Sequence, residues 1–428
     1  MIGSWRTYVL QSPGGIKMSL IEYYVQKQSG GRQMLASIDL FCGAGGITEG
    51  FRQAGYKCLY AVDFHASAVE TYRANHPDIW AECDSIENVN PKTIRRKLGL
   101  QKGDLSVLVG GPPCQGFSIN APERFLDDPR NSLFKHYIRF IDEFQPQAFL
   151  FENVPGMLSL ERGQIFEQIL HEFRKRGYHA HARILFAAHY GVPQERWRLI
   201  ILGSLFAPGS EHPYPTHYAL GRANFTGGRL MTYQLRPEDE EKLLPKITVG
   251  EAISDLPKLE IGQGSEVISY DCSATSDYAK NMRDPKGHTY NHFAAKLSKQ
   301  NIERMKYIKQ GGSWRDIPYE LLPAGMQRAR TSDHTKRYGR LRFDDLSGTI
   351  LTKCDPHWGA VILPDQNRTL TVREAARIQS FPDTYRFYGS RVSQYEQVGN
   401  AVPVLLARAI AQSLALHLHT KLQEAEVV

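Results

Sequence analysis

Leu35-Ala-Ser-Ile-Asp-Leu-Phe41, Cys42-Gly-Ala-Gly-Gly46, Ile47-Thr-Glu-Gly-Phe-Arg-Gln-Ala54: an apolar run, a glycine turn, then a run with apolar residues at helical spacing. The reading is strand, turn, helix, the first βα unit of a doubly wound sheet. Its glycines let the backbone approach a phosphate or nucleoside closely. Position 48 is Thr, where the dinucleotide fingerprint has a third Gly, so the unit fits an adenosine cofactor other than a nicotinamide. Cys58-Leu-Tyr-Ala-Val62 repeats the strand pattern and ends in Asp63, twenty residues after Gly43, where a carboxylate can bond ribose hydroxyls. Ala81-Glu-Cys-Asp84 places a second acid, Asp84, where it could accept from an adenine amino group.

Outward from this unit, Leu105-Ser-Val-Leu-Val109 reads as a buried strand, and Gly110-Gly-Pro-Pro-Cys-Gln-Gly-Phe-Ser118 stops it abruptly. The prolines and glycines make a poor core segment and a rigid mount, so Cys114 is a candidate nucleophile at a strand's carboxyl end. Residues 119–134 are polar and turn-rich, which predicts a loop that closes over Cys114. Gln147-Ala-Phe-Leu-Phe151 is another strand, and it delivers Glu152 and Asn153 to the same edge. Gly191-Val-Pro-Gln-Glu-Arg-Trp-Arg198 leads into a further strand, with Arg196 and Arg198 on one face of the extended chain.

The chain has 428 residues, 42% hydrophobic and 23% charged, the balance of a globular protein of two or three domains. No apolar run approaches the ~18 residues of a membrane span, and residues 1–30 lack the apolar core of a signal peptide. The expected setting is therefore cytoplasmic. None of the six cysteines forms a Cys-x-x-Cys pair, and His288 and His292 have no acid between them, so reduced thiols and loop histidines are expected rather than a metal site.

The net charge is +7, yet residues 281–342 alone hold 14 Lys and Arg against 5 Asp and Glu, an excess of +9. Such a local excess is the footprint of a polyanion-binding surface. The division expected is an N-terminal extension over 1–34, with a helix over Ser19–Gln28, and a cofactor-binding domain over 35–203. A loop-rich domain over 204–368 follows, then 369–428 with a capped helix (Thr369–Gln379) and an apolar one (Val404–Leu416) returning to the first domain.

Read together, six stretches resemble the cytosine-C5 DNA methyltransferase family. They are Asp39-Leu-Phe-Cys-Gly-Ala-Gly-Gly46, Gly111-Pro-Pro-Cys-Gln-Gly-Phe-Ser118, Glu152-Asn-Val154, Gln194-Glu-Arg-Trp-Arg198, Arg373-Glu-Ala-Ala-Arg-Ile-Gln-Ser-Phe-Pro-Asp383 and Gln397-Val-Gly-Asn-Ala-Val402, in the family's order. The resemblance implies an α/β fold: a Rossmann-like methyltransferase sheet with helices on both faces, plus a smaller, loop-rich target-recognition domain. It implies S-adenosylmethionine as methyl donor and double-stranded DNA as substrate. The expected host is a prokaryotic restriction–modification or phage-defence system, with the enzyme acting as a monomer on DNA.

By the same resemblance Cys114 is the nucleophile, Glu152 contacts the base, and Arg196 and Arg198 hold Glu152, the base or its phosphate. Asp39, Phe41, Gly43, Gly45, Asp63, Phe64, Asp84, Ser85, Pro112, Asn400 and Val402 line the cofactor site. The target atom is unreachable inside a duplex, so the base is expected to flip out. Gln115, Ser118, Arg328, Arg330, Lys336 and Arg337 are the expected DNA contacts.

Overall fold

A computed structural model describes residues 34–113 and 132–426, except 208, 210–211, 222–224, 226–230, 331–335, 354–355 and 358. The predicted Ser19–Gln28 helix, Cys114, Gln115, Ser118 and most of the expected closing loop lie outside the described residues.

Seven strands form one sheet in the order β3-β2-β1-β4-β5-β7-β6. They are β1 (Ala36–Leu40), β2 (Lys57–Asp63), β3 (Trp80–Cys83), β4 (Val107–Gly110), β5 (Ala148–Asn153), β6 (His179–Phe186) and β7 (Trp197–Ser204). The first five run parallel, and β7 pairs antiparallel with both β5 and β6. Alternation along the strands feeds two cores. Leu108, Ile38, Leu40, Phe149 and Phe151 pack on one face, whereas Val107, Val109, Leu150, Ile200 and Leu202 pack on the other. The first core is closed by helices α4 (Ser132–Phe144) and α5 (Gln164–Lys175), which follow α1 (Gly46–Gln53), α2 (Ala66–Asn75) and α3 (Pro91–Lys97) in the chain.

The second face is covered by α1 and the last helix, Val404–Glu426, which runs ten residues past the predicted end at Leu416. A Cβ added at Gly50 would lie 2.5 Å from Ala407 Cβ and 2.6 Å from the Val404 carbonyl, so these helices meet backbone to backbone. By length and composition, the run Arg391–Lys421 could cross a membrane, which the sequence reading did not expect. Half of its most apolar 18-residue stretch is buried, however, and Leu406, Ile410, Leu414 and Leu418 are fully covered in the sheet's second core.

The region after β7 does not pack as one separate body. Helices α6 (Val249–Ile253) and α7 (Asp277–Met282) share a core with α9 (Val372–Ile378) and α10 (Arg391–Asn400). The helix α8 (Lys299–Lys306) instead joins a smaller cluster of Met305, Ile308, Trp314, Ile317, Met326, Tyr338 and Ile362, which carries the basic segment. The capped helix expected over Thr369–Gln379 forms but starts later: Thr371 caps α9, with Glu374 returning the bond to the Thr371 backbone. His288 and His292 lie on a strand (His288–Phe293), not in the predicted loop. His292 is buried between Thr371 Oγ1 at 2.9 Å and the Pro257 carbonyl at 2.8 Å.

Candidate active site

The sheet order decides which side chains can meet. Gly110 is in register with Leu40 of β1 on one side and Phe151 of β5 on the other. The chain leaving β4 therefore emerges between Phe41 and Glu152. Next to it, the carboxyl ends of β1, β2 and β3 open a cleft. Phe41, Val62, Asp63, Phe64, Asp84, Ser85, Ile86, Pro113 and Leu133 line it.

The cleft is built from short-range constraints. Asp63 accepts from the Gly43 amide through Oδ2 and from the His65 amide through Oδ1, each at 2.9 Å, so strand end and glycine turn are tied together. Asp84 accepts from the Ser85 amide at 2.7 Å and from Asn88 at 2.8 Å. Phe64 is 60% exposed and offers a ring face. Phe41 holds a left-handed backbone, φ 59°, a costly conformation for a non-glycine residue that recurs at functional sites. Two aromatic rings and two anchored carboxylates fit an adenosine: a face for the purine, acceptors for ribose hydroxyls and the amino group.

Other expected cofactor residues are placed behind the cleft. Asp39 is 1% exposed and accepts from Thr48 Oγ1 at 2.6 Å. Burial pushes its carboxyl up to about 7, against the pull of the Thr48 bond and with added repulsion from Asp63. Pro112 lies outside the lining: its carbonyl accepts from Asn153 Nδ2 at 2.9 Å, and Pro113 is the proline that faces the cleft. Asn400 is exposed at the end of α10. Val402 is packed in the core, and its carbonyl lies 2.5 Å from where a Gly46 Cβ would be. Pro113, Val62, Ile86 and Leu133 were not singled out from the sequence. Apolar residues at strand ends are common, and nothing local marks these as cleft walls.

On the other side of the β4 exit, Arg198 Nε pairs with Glu152 Oε1 at 2.8 Å. Glu152 is opposite Ile200 on β7, so Arg198 is its diagonal neighbour on the same face. Their side chains are 14% and 13% exposed. Burial raises the Glu152 carboxyl above its ordinary range, and Arg198 and then Arg196 pull against it. A Cβ on Gly111 would lie 2.6 Å from Glu152 Oε2, so only glycine leaves this carboxylate its place.

The two arginines have different surroundings. Arg196 is 1% exposed, and its guanidinium donates to the carbonyls of Gly399 at 2.7 Å, Ala401 at 3.1 Å and Ile350 at 3.1 Å. It fastens three chain segments beside Glu152 instead of pairing with it.

The expected DNA contacts are scattered in state. Arg328 and Arg330 are exposed, Arg337 is half-buried, and Lys336 pairs with Glu195 Oε2 at 3.1 Å. Much of the basic excess is committed internally. Arg283 pairs with Asp255, while buried Arg340 donates to the carbonyls of Met305, Ile308, Leu363 and Gln366. Buried Arg304 donates to the Leu321 carbonyl. The surface charge is therefore smaller than the +9 read from the sequence.

Residues 35–415 match the family model of the C-5 cytosine-specific DNA methylases. The chain belongs to this family, and by class it is a DNA (cytosine-5-)-methyltransferase. It is 37% identical to the Type II methyltransferase M.AgeI of Thalassovita gelatinovora, over 89% of this chain and 99% of that protein. It is 35% identical to the Type II methyltransferase M.DdeI of Desulfomicrobium norvegicum, over 88% of each. Among solved structures, a protein described as a DNA modification methyltransferase encoded within an E. coli prophage superposes with a TM-score of 0.66 at 22% identity. That likeness covers 90% of this chain and 99% of the other, and bears on the fold alone.

Proposed function

We propose that this protein methylates C5 of a cytosine flipped out of duplex DNA, through a covalent bond between Cys114 and C6. It would act as the modification enzyme of a prokaryotic restriction–modification or phage-defence system, in the cytoplasm and as a monomer on DNA. The observation that carries this is the exit of β4 between two prepared sites. Pro113 lines the cleft, and Cys114 is the next residue in the chain. Across the exit, Glu152 is held by Arg198.

S-adenosylmethionine, when bound, would supply a methyl group from its sulfonium centre, the methyl–sulfur bond breaking so that S-adenosylhomocysteine leaves. Phe41 and Phe64 would hold its purine, Asp63 its ribose and Asp84 its amino group. The Cys114 thiolate forms a bond to C6, and the ring π pair moves to C5, which becomes nucleophilic enough to take the methyl. Glu152, its proton affinity raised by burial, keeps a proton at N3 and accepts from the 4-amino group. Loss of the C5 proton returns the electron pair, and the Cys114–C6 bond breaks. Exposed cations of the 281–342 segment, with Gln115 and Ser118 near the base, would set register on the phosphates.

A duplex carrying 5-fluorocytosine tests the reading, because fluorine cannot leave as a proton does. Incubation with S-adenosylmethionine should give a protein–DNA species stable to denaturation, absent with Cys114→Ser. Methylation of duplex DNA without any such adduct would overturn the covalent route.

A further inference from the structure

Behind the glycine turn is a tyrosine from a distant part of the chain. The Tyr385 hydroxyl bonds the Ala44 carbonyl and lies 3.1 Å from His76 Nε2. A Cβ on Gly45, whose φ is +89°, would fall 2.6 Å from the same hydroxyl, 3.0 Å from Tyr72 and 3.2 Å from His76. The turn thus rests on a floor of three side chains, and Tyr385 is 3% exposed.

The proton inventory fixes the bonding. A carbonyl only accepts, so the single hydroxyl proton goes to Ala44. His76 Nε2 must then carry a proton and donate to the tyrosine oxygen. Burial keeps the imidazole neutral, which leaves one ring proton for that bond. Tyr385 is itself fastened from behind. Arg373 donates to its carbonyl and to that of Pro382, and Arg377 joins Asp383 to Asp255 of the middle region. The 369–387 segment packs Phe381 near Gly46 and hydrogen-bonds the glycine turn at the Ala44 carbonyl through the Tyr385 hydroxyl.

We propose that Tyr385, backed by His76, is a positioning residue for the cofactor: its hydroxyl sets the 43–45 turn against the cleft. The inference rests on the reading of that cleft as the S-adenosylmethionine site. A Phe at 385 keeps the ring packing and leaves a buried carbonyl and a buried N–H without their partner, the costly way to lose a hydrogen bond. The turn would relax from its cofactor-ready shape.

The test is calorimetric titration of wild type and Tyr385→Phe with S-adenosylhomocysteine, alongside steady-state kinetics at saturating DNA. The proposal expects roughly tenfold weaker binding and a roughly tenfold higher KM for S-adenosylmethionine, with kcat within about threefold of wild type. A His76→Gln variant, whose amide restores a donor, should bind within about threefold of wild type, while His76→Leu should weaken as Tyr385→Phe does. Unchanged affinity in Tyr385→Phe, or a fall in kcat and melting temperature alone, overturns the proposal. Should Tyr385→Phe fail to fold, the His76 pair decides: equal affinities in Gln and Leu refute it. Wild type that binds no S-adenosylhomocysteine would instead overturn the cofactor reading, and this inference with it.

Discussion

Replacing Gly111 by Ala isolates the placement of Glu152 from everything else. Gly111 lacks the positive φ that would penalise a side chain, so the backbone tolerates Ala. The new Cβ would lie 2.6 Å from Glu152 Oε2, but 3.4 Å and 3.7 Å from the Glu152 carbonyl and Cβ, which are ordinary contacts. The strand therefore stays and the carboxylate yields, by about 0.8 Å to reach the 3.4 Å of normal contact. That displacement must come out of the 2.8 Å bond to Arg198. A misplacement near 1 Å at a reacting centre costs about 10²-fold in rate, or about 2.7 kcal/mol in barrier. Single-turnover methyl transfer to unmodified duplex DNA should fall by about that factor. Calorimetry should show S-adenosylhomocysteine affinity within about threefold, because the cleft lies across the β4 exit from Glu152. A Gly111→Ala enzyme with a single-turnover rate within about threefold of wild type would refute the claim that this carboxylate needs its exact seat.

Asp39→Asn tests the buried acid behind the cleft. Burial lifts the Asp39 carboxyl from 3.8 to about 7 in the folded protein, so the native state keeps a proton that the unfolded chain gives up near pH 4. The stability this contributes is present below pH 4 and is lost as pH rises through about 7, in total about 4 kcal/mol at most. Asn never ionises, so urea midpoints of wild type minus variant should decline between those pH values, and a flat difference would sink the account. Glu195→Gln should release Lys336 for phosphate and tighten duplex binding about two- to threefold, as befits a half-exposed pair. Lys336→Ala should reduce the salt slope by about one. If Glu195→Gln still tightens binding when Lys336 is already Ala, the ion pair is not what restrains that lysine.

The strand–turn–helix unit was legible because its causes are local. Apolar alternation marks a strand, and Gly43 and Gly45, with φ of 51° and 89°, hold a turn that other residues resist. The capped helix at Thr371 was legible for the same reason. His292 looks like a loop residue because its burial depends on Thr371 and Pro257, distant in the chain. The basic segment misleads in the same way: a lysine or arginine reads as surface charge until a partner such as Asp255 is placed beside it. Pro112 and Pro113 are indistinguishable in sequence, and only Asn153 bonding the carbonyl of the first shows which one can face the cleft.

By itself the order of residues determined the family motifs, the alternation of strands and helices, and which residue types could do chemistry. Those follow from short-range sterics and periodicity, which any stretch of about ten residues carries within itself. Which arginine would hold Glu152 was decided only in three dimensions. Arg196 and Arg198 differ by two positions, yet one is enclosed by carbonyls from residues 350, 399 and 401, and the other reaches the carboxylate across an antiparallel strand pair. A guanidinium goes where acceptors are within its reach, and here those acceptors come from chain segments far away in sequence.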